Sequence, residues 1–196
     1  MNSAIPSDPG AAANPHAHDS PPSAWVRRFL PLIVPGGRVL DVAANQGRHT
    51  RLLLDHGFRV IAADRKTGEL AAHFAAEPRC EIVEIDLENG QPWRLGGGFA
   101  GIIVSLYLHR PLFADLAAAL APGGVLIHET FMRGNERFGR PRNPDFLLRP
   151  NELFEVYSPA LSIVAFEQGE VTEPKPAIMQ RIAAVNGAAA PLPPAL

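Results

Sequence analysis

The run Arg38-Val39-Leu40-Asp41-Val42-Ala43-Ala44-Asn45-Gln46-Gly47 constrains the fold of this chain more than any other segment. Its apolar first half reads as a buried strand, its small and polar second half as a tight turn, and Gly47 as the entry to a helix. A second apolar run, Phe58 to Ala63, delivers the carboxylate of Asp64. In an open α/β sheet both segments end on one edge. There a turn lets backbone approach a nucleoside, and an acid accepts hydrogen bonds from ribose hydroxyls. The spacing from turn to acid is the roughly 20 residues of such sites.

Charge narrows the ligand. A dinucleotide site needs G-x-G-x-x-G, because backbone must nearly touch a pyrophosphate. Here Ala43 and Asn45 stand where glycines would, and only Gly47 remains. Asp41 at the strand end would repel a pyrophosphate and suits a cationic ligand. S-adenosyl-L-methionine, with a sulfonium, an ammonium and no phosphate, fits better than NAD.

VLDVAANQGRHT resembles the first motif of class I S-adenosylmethionine-dependent methyltransferases, usually close to VLDxGxGxG. YLHRPLF, LAPGGVLIHETF and GNERFGRPRNPDFLLRPNEL are similar to a bacterial subgroup near the tellurite-resistance-type methyltransferases, and the likeness runs from about Trp25 to Asn186. The resemblance implies a Rossmann-like α/β fold. Its mostly parallel seven-stranded sheet would carry a terminal antiparallel strand and helices on both faces. It implies direct in-line methyl transfer to a small acceptor, anionic or chalcogen-containing, with no metal. It also implies a cofactor set of Asp41, Ala43, Asn45, Gly47, Asp64, Asp86, Leu87 and Ser105, with Asp64 on the ribose and Asp86 and Leu87 flanking the adenine.

Composition sets the outer bounds. A chain of 196 residues builds one sizeable core and little else. A net charge of -2 gives no global pull towards nucleic acid or anionic lipid, although the arginines after residue 132 could form a local patch. No apolar run is long enough for a membrane span. The lone Cys80 excludes an internal disulfide and a cysteine metal cluster, and reads as a buried strand residue. The N-terminus lacks a signal-like pattern, so the default location is cytoplasmic. Residues 1–22, with His16 and His18, and 187–196 read as tails flanking one domain over 23–186.

Within that domain strands and helices alternate. Ser23 caps a helix carrying Trp25, Phe29, Leu32 and Ile33. Strands are predicted at Arg38 to Ala43, Phe58 to Ala63, Glu81 to Ile85, Ala100 to Leu106 and Val125 to Phe131. Helices are predicted at Gly47 to His56, Thr67 to Ala76 and Pro111 to Leu120, with Asn151 capping another that reaches Val156. The stretch Glu88 to Gly98 is too broken for a helix, and Pro122-Gly123-Gly124 reads as a turn before strand five. Two late strands, Leu161 to Gln168 and Ala177 to Asn186, are joined too briefly for a parallel crossover, so they pair antiparallel.

Candidate chemistry clusters after strands four and five. His109 could orient an acceptor or take its proton, or be a structural histidine. Arg110 either pairs with an acid or binds an anionic acceptor; together these two are the candidate catalytic residues. Tyr107, His109, Glu129, Arg137 and Arg140 are the candidate acceptor contacts, Tyr107 having core packing as its alternative. Arg133, Arg137, Arg140 and Arg142 fall in one polar loop, Met132 to Pro144, that reads as a lid for an oxyanion-bearing acceptor. His128 and Glu129 point to opposite faces of strand five, so at most one faces the site. Asp41 as a helix cap and Asp86 as a turn acid remain open. So does a non-catalytic, methyltransferase-like protein that binds a nucleoside ligand or a protein partner.

Overall fold

A computed structural model describes residues 21–188. Apart from residues 21–22 and 187–188, the two expected tails lie outside the described residues, as do His16 and His18. Seven strands form one sheet in the order β3-β2-β1-β4-β5-β7-β6. They are β1 (Arg38–Val42), β2 (Arg59–Asp64), β3 (Cys80–Glu84), β4 (Phe99–Ser105), β5 (Leu120–Phe131), β6 (Ser162–Val171) and β7 (Ala177–Val185). β3, β2, β1, β4 and β5 pair in parallel, and β7 runs antiparallel between β5 and β6. The late strands are therefore antiparallel neighbours, as their short connection required. The helices are α1 (Ala24–Phe29), α2 (Arg48–Asp55), α3 (Gly68–Phe74), α4 (Phe113–Ala118) and α5 (Glu152–Tyr157).

The sheet divides the core into two layers. Alternate residues of β1 show why: Leu40 and Val42 pack with Leu116, Leu153 and Tyr157 on one face, and Val39 packs with Phe29, Leu53 and Leu70 on the other. Central strands buried on both faces carry unbroken apolar runs, as in Ile102-Ile103-Val104.

Most element ends shift by one to three residues from the sequence reading, and three departures have a local physical cause. α1 stops at Phe29, because Pro31 cannot donate in a helix interior, and residues 30–32 tighten into a 3-10 turn. Pro122-Gly123-Gly124 lies inside β5 rather than before it. Phe99 pairs with Leu120 and Gly101 with Val125, so these residues bulge out of the ladder. The bulge is held by β7's end, since Gly123 N–H donates to Asn186 O at 2.6 Å and Asn186 N–H to Gly124 O at 2.9 Å. Asn151 does not cap α5 with its side chain; it takes a left-handed φ of 63°, and its Oδ1 accepts from Gln168 Nε2 at 2.7 Å.

Candidate functional site

β1 and β2 end side by side, and the turn after β1 bends back over that edge. Its backbone alternates. Ala43, Asn45 and Gly47 have φ of 53°, 52° and 82°, all left-handed. Asn adopts this region readily, whereas an L-residue such as alanine is strained there by roughly 1–2 kcal/mol. Gly47 is required twice over: a Cβ there would lie 2.3 Å from Phe74 Cε2 of α3.

Asp64 closes the turn. Its Oδ2 accepts from Asn45 N–H at 2.8 Å and its Oδ1 from Lys66 N–H at 2.9 Å. Asp41 does something else. It is 2% exposed, and its Oδ2 accepts from the Thr50 hydroxyl of α2 at 2.7 Å. Burial pushes its carboxyl up to about 6, against the pull of the Thr50 hydrogen bonds and the Arg48 charge. Asp41 thus braces α2 under the turn, the helix-holding alternative that the sequence left open. Asp86 forms a turn of its own, accepting from Glu88 N–H at 2.9 Å. Leu87 packs on the core beside it. Tyr107, after β4, is drawn to the same place; burial raises its phenol, and a hydrogen bond to Glu88 raises it further.

The ends of β4 and β5 carry a buried polar chain. Arg48 Nη2 donates to Ser105 Oγ at 3.0 Å, and Ser105 Oγ donates to Glu129 Oε1 at 3.0 Å. Glu129 is 3% exposed and also faces Arg181 Nε of β7 at 3.5 Å. His128 lies on the opposite face, as alternation demands. Its Nδ1 meets the Tyr157 hydroxyl at 3.0 Å, and burial lowers its pKa to about 4. The next residue after β4, Leu106, is left-handed at 58° and half-exposed. His109 is partly buried and opens the 3-10 turn Arg110–Leu112.

Arg110 pairs with an acid, one of the two readings the sequence offered. Its Nε and Nη2 grip Glu152 at 2.6 and 3.1 Å, its Nη1 donates to Asp145 O at 2.7 Å, and its Nη2 to Leu147 O at 2.9 Å. Glu152 is 2% exposed and takes a further hydrogen bond from Arg149 N–H at 2.7 Å. With four donor contacts made inside the protein, Arg110 anchors the segment after β5. That segment is a closed loop: Met132 bridges Leu148, and buried Asn135 accepts from Ile178 N–H at 3.1 Å. Arg137 pairs with Glu170 at 2.5 Å and lies over the Phe138 ring, while Arg140 contributes its carbonyl to Asn135 Nδ2 at 3.5 Å.

Sequence reasoning missed Arg48. The available signal was a cation directly after Gly47, at the start of a helix whose first turn holds no acid. That placement runs against the usual dipole bias. The groove of about 550 Å³ between α4 and α5, lined by Arg110, Ala114, Ala117, Val156 and Asn186, contains none of the turn residues. Among the described residues no helix is long and apolar enough to cross a membrane, and no cluster of His, Cys, Asp and Glu could hold a metal ion.

No model of a known family and no curated protein matches the sequence. Solved structures do match. The Burkholderia thailandensis 1,6-didemethyltoxoflavin-N1-methyltransferase, with bound 1,6-didemethyltoxoflavin and S-adenosylhomocysteine, is 21% identical with a TM-score of 0.61, over 84% of this chain and 77% of that one. A TehB-like SAM-dependent methyltransferase from Corynebacterium glutamicum is 17% identical, TM-score 0.62, over 86% and 90%. A Mesorhizobium loti S-adenosylmethionine-dependent methyltransferase is 20% identical, TM-score 0.64, over 84% and 98%. At such identities the likeness is one of fold. The chain has the Rossmann-like fold of the class I S-adenosylmethionine-dependent methyltransferases.

Proposed function

We propose that this protein is a cytoplasmic S-adenosylmethionine-dependent methyltransferase, with one domain over residues 23–186 and a small, anionic acceptor. One observation carries the reading. The turn keeps a left-handed backbone at Ala43, Asn45 and Gly47 although two of the three are not glycine, and it is tied to the carboxylate of Asp64. A strained turn held against an acid offers close-approaching backbone and a carboxylate acceptor, which suit a nucleoside without phosphate. The Burkholderia thailandensis enzyme was crystallised with S-adenosylhomocysteine, which supports the same cofactor here.

S-adenosylmethionine supplies an electrophilic methyl on a sulfonium; the acceptor's lone pair forms the new bond, and the sulfonium leaves as a neutral thioether. The residues of this chain bind and orient. Asp64 takes the ribose hydroxyls on the lone pairs left free by Asn45 and Lys66. Asp86 and Leu87 flank the adenine, and Ser105 borders the reacting end. Tyr107, His109 and the loop bearing Arg137 and Arg140 face the acceptor. His109 accepts its proton where the acceptor atom carries one. Glu129 acts from below, fixing Ser105. Much of the acceleration then comes from alignment and from exclusion of water.

Calorimetric titration with S-adenosylhomocysteine, S-adenosylmethionine and NAD tests this. Micromolar binding of the first two and none of NAD is the expected result, with Asp64→Ala at least tenfold weaker. Binding of NAD alone, or of none of the three, would overturn it.

A further inference from the structure

Four residues in one register row cross the sheet near its carboxyl edge: Ser105 of β4, Glu129 of β5, Arg181 of β7 and Glu167 of β6. Directly paired residues share a face. Two residues further in, the row on that face is Ile103, Ile127, Ala183 and Ala165, all apolar and packed into the core. Polar side chains thus replace the core where β4 ends. Within the row Arg181 is poorly satisfied. Its side chain is 19% exposed, and its Nε is buried with no hydrogen-bond partner. Among the described residues its guanidinium makes one ion pair, at 3.5 Å with Glu129 Oε2, and no hydrogen bond. Both acids beside it are drawn elsewhere, Glu129 by the Ser105 hydroxyl and Glu167 by Arg28 at 3.5 Å. A guanidinium has five donors in a planar fork, and buried donors are nearly always paired. Local rules broken without a compensating partner are expected at binding sites.

Topology says which ligand would reach it. β5 and β7 lie on the far side of β4 from β1 and β2, which carry the turn and Asp64. A group on β7 is therefore placed for the acceptor and not for the adenosine. Two arginines that sequence offered for an anionic acceptor are closed by internal acids, Arg110 by Glu152 and Arg137 by Glu170. We propose that Arg181 receives the anionic end of the acceptor, and that the acceptor is a small organic carboxylate with its methyl-accepting atom at the opposite end. A planar fork suits a carboxylate, which would fill the donors that the protein leaves open. Arg181 and Ser105 stand two strands apart, about 10 Å between backbones. A carboxylate held on Arg181 leaves the rest of a small acid to extend towards Ser105 and the reacting end. Glu129 is the positioning residue: 3% exposed and fixed by Ser105, it holds the guanidinium in the row. This rests on the methyltransferase reading above.

The test separates the two. Wild type, Arg181→Met and Arg181→Lys are first titrated with S-adenosylhomocysteine, and thermal unfolding is recorded for each. The three complexes are then titrated with benzoate and with benzamide, its neutral counterpart of nearly the same shape. Wild type should bind benzoate at least tenfold more tightly than benzamide, as for hydrogen bonds to a charged group. Arg181→Met should lose that preference, and Arg181→Lys, which keeps the charge without the fork, should keep part of it. Affinity for S-adenosylhomocysteine should be the same in all three. If loss of the Glu129 partner unfolds Arg181→Met, weakening of benzoate alone in Arg181→Lys decides the matter. Equal binding of the two probes by wild type, binding of neither, benzoate affinity unchanged in the variants, or a parallel loss of S-adenosylhomocysteine would overturn the role of Arg181 while leaving the cofactor reading intact. Failure of wild type to bind S-adenosylhomocysteine would overturn both.

Discussion

Arg48 and Arg110 sit at the same carboxyl edge, one after β1 and one after β4, and their surroundings are opposite. Arg110 is saturated by Glu152 and two carbonyls, in a region where Asn135 and Gln180 are also buried and hydrogen-bonded. Among the described residues Arg48 donates to two neutral acceptors, beside a turn where the buried Gln46 Oε1 has no hydrogen-bond partner among them. Buried polar groups are nearly always paired, so a saturated cluster is there to hold the chain and an unsaturated one is open to a ligand. Two arginines that look alike in sequence thus divide into an anchor and a candidate binding group.

The sharpest way to break this comparison is Arg110→Ala. It strands the Glu152 carboxylate, which is 2% exposed, beside Arg149 alone. Orphaning a buried charge costs about 3 kcal/mol, somewhat less here because Arg110 is itself partly exposed. Chemical denaturation should show that loss with S-adenosylhomocysteine affinity intact; a stable variant that no longer binds would make Arg110 a site residue after all.

Asp41→Asn probes the turn side through stability. The native carboxyl is held at about 6, above its ordinary 3.8, so the folded protein keeps a proton that the unfolded chain releases. That contribution is complete below about pH 4 and is lost as pH rises through about 6, a cost of about 3 kcal/mol at neutral pH. The Asn variant should therefore be more stable than wild type by about 2 kcal/mol at pH 7, allowing for a weaker hydrogen bond with Thr50, and no different near pH 4. The lowered pKa values of His49 and His128 act in the other sense, removing stability as pH falls, but they are common to both proteins and cancel. Equal stability at both pH values would mean that Asp41 is not desolvated.

The smallest effect is Ala43→Gly. Relief of left-handed strain outweighs the added freedom of the unfolded chain by about 0.5 kcal/mol. A thermal melt that shows destabilisation would mean that the alanine methyl packs productively.

The turn and the acid that closes it were legible before the structure because they depend on neighbours in sequence. The Asp64 carboxylate reaches Asn45 across 19 residues, a distance set by one helix and one strand. His128 and Glu129 had to part company because strand side chains alternate. Arg48 was passed over for a different reason: its meaning lies in what it fails to touch, and motif spacing carries no information about that.

What the sequence determined by itself is the alternation of strands and helices, the turn after β1, the acid at the end of β2 and the antiparallel pairing of β6 with β7. Each follows from periodicity, turn chemistry and connection length, which act over a few residues at a time. What only the tertiary structure decided is the fate of the charged side chains. Arg110 finds Glu152 across 42 residues and Arg48 finds Ser105 across 57. Such partners are chosen by which elements the packed sheet brings together, and the desolvation that makes the pairing matter exists only after the core has closed.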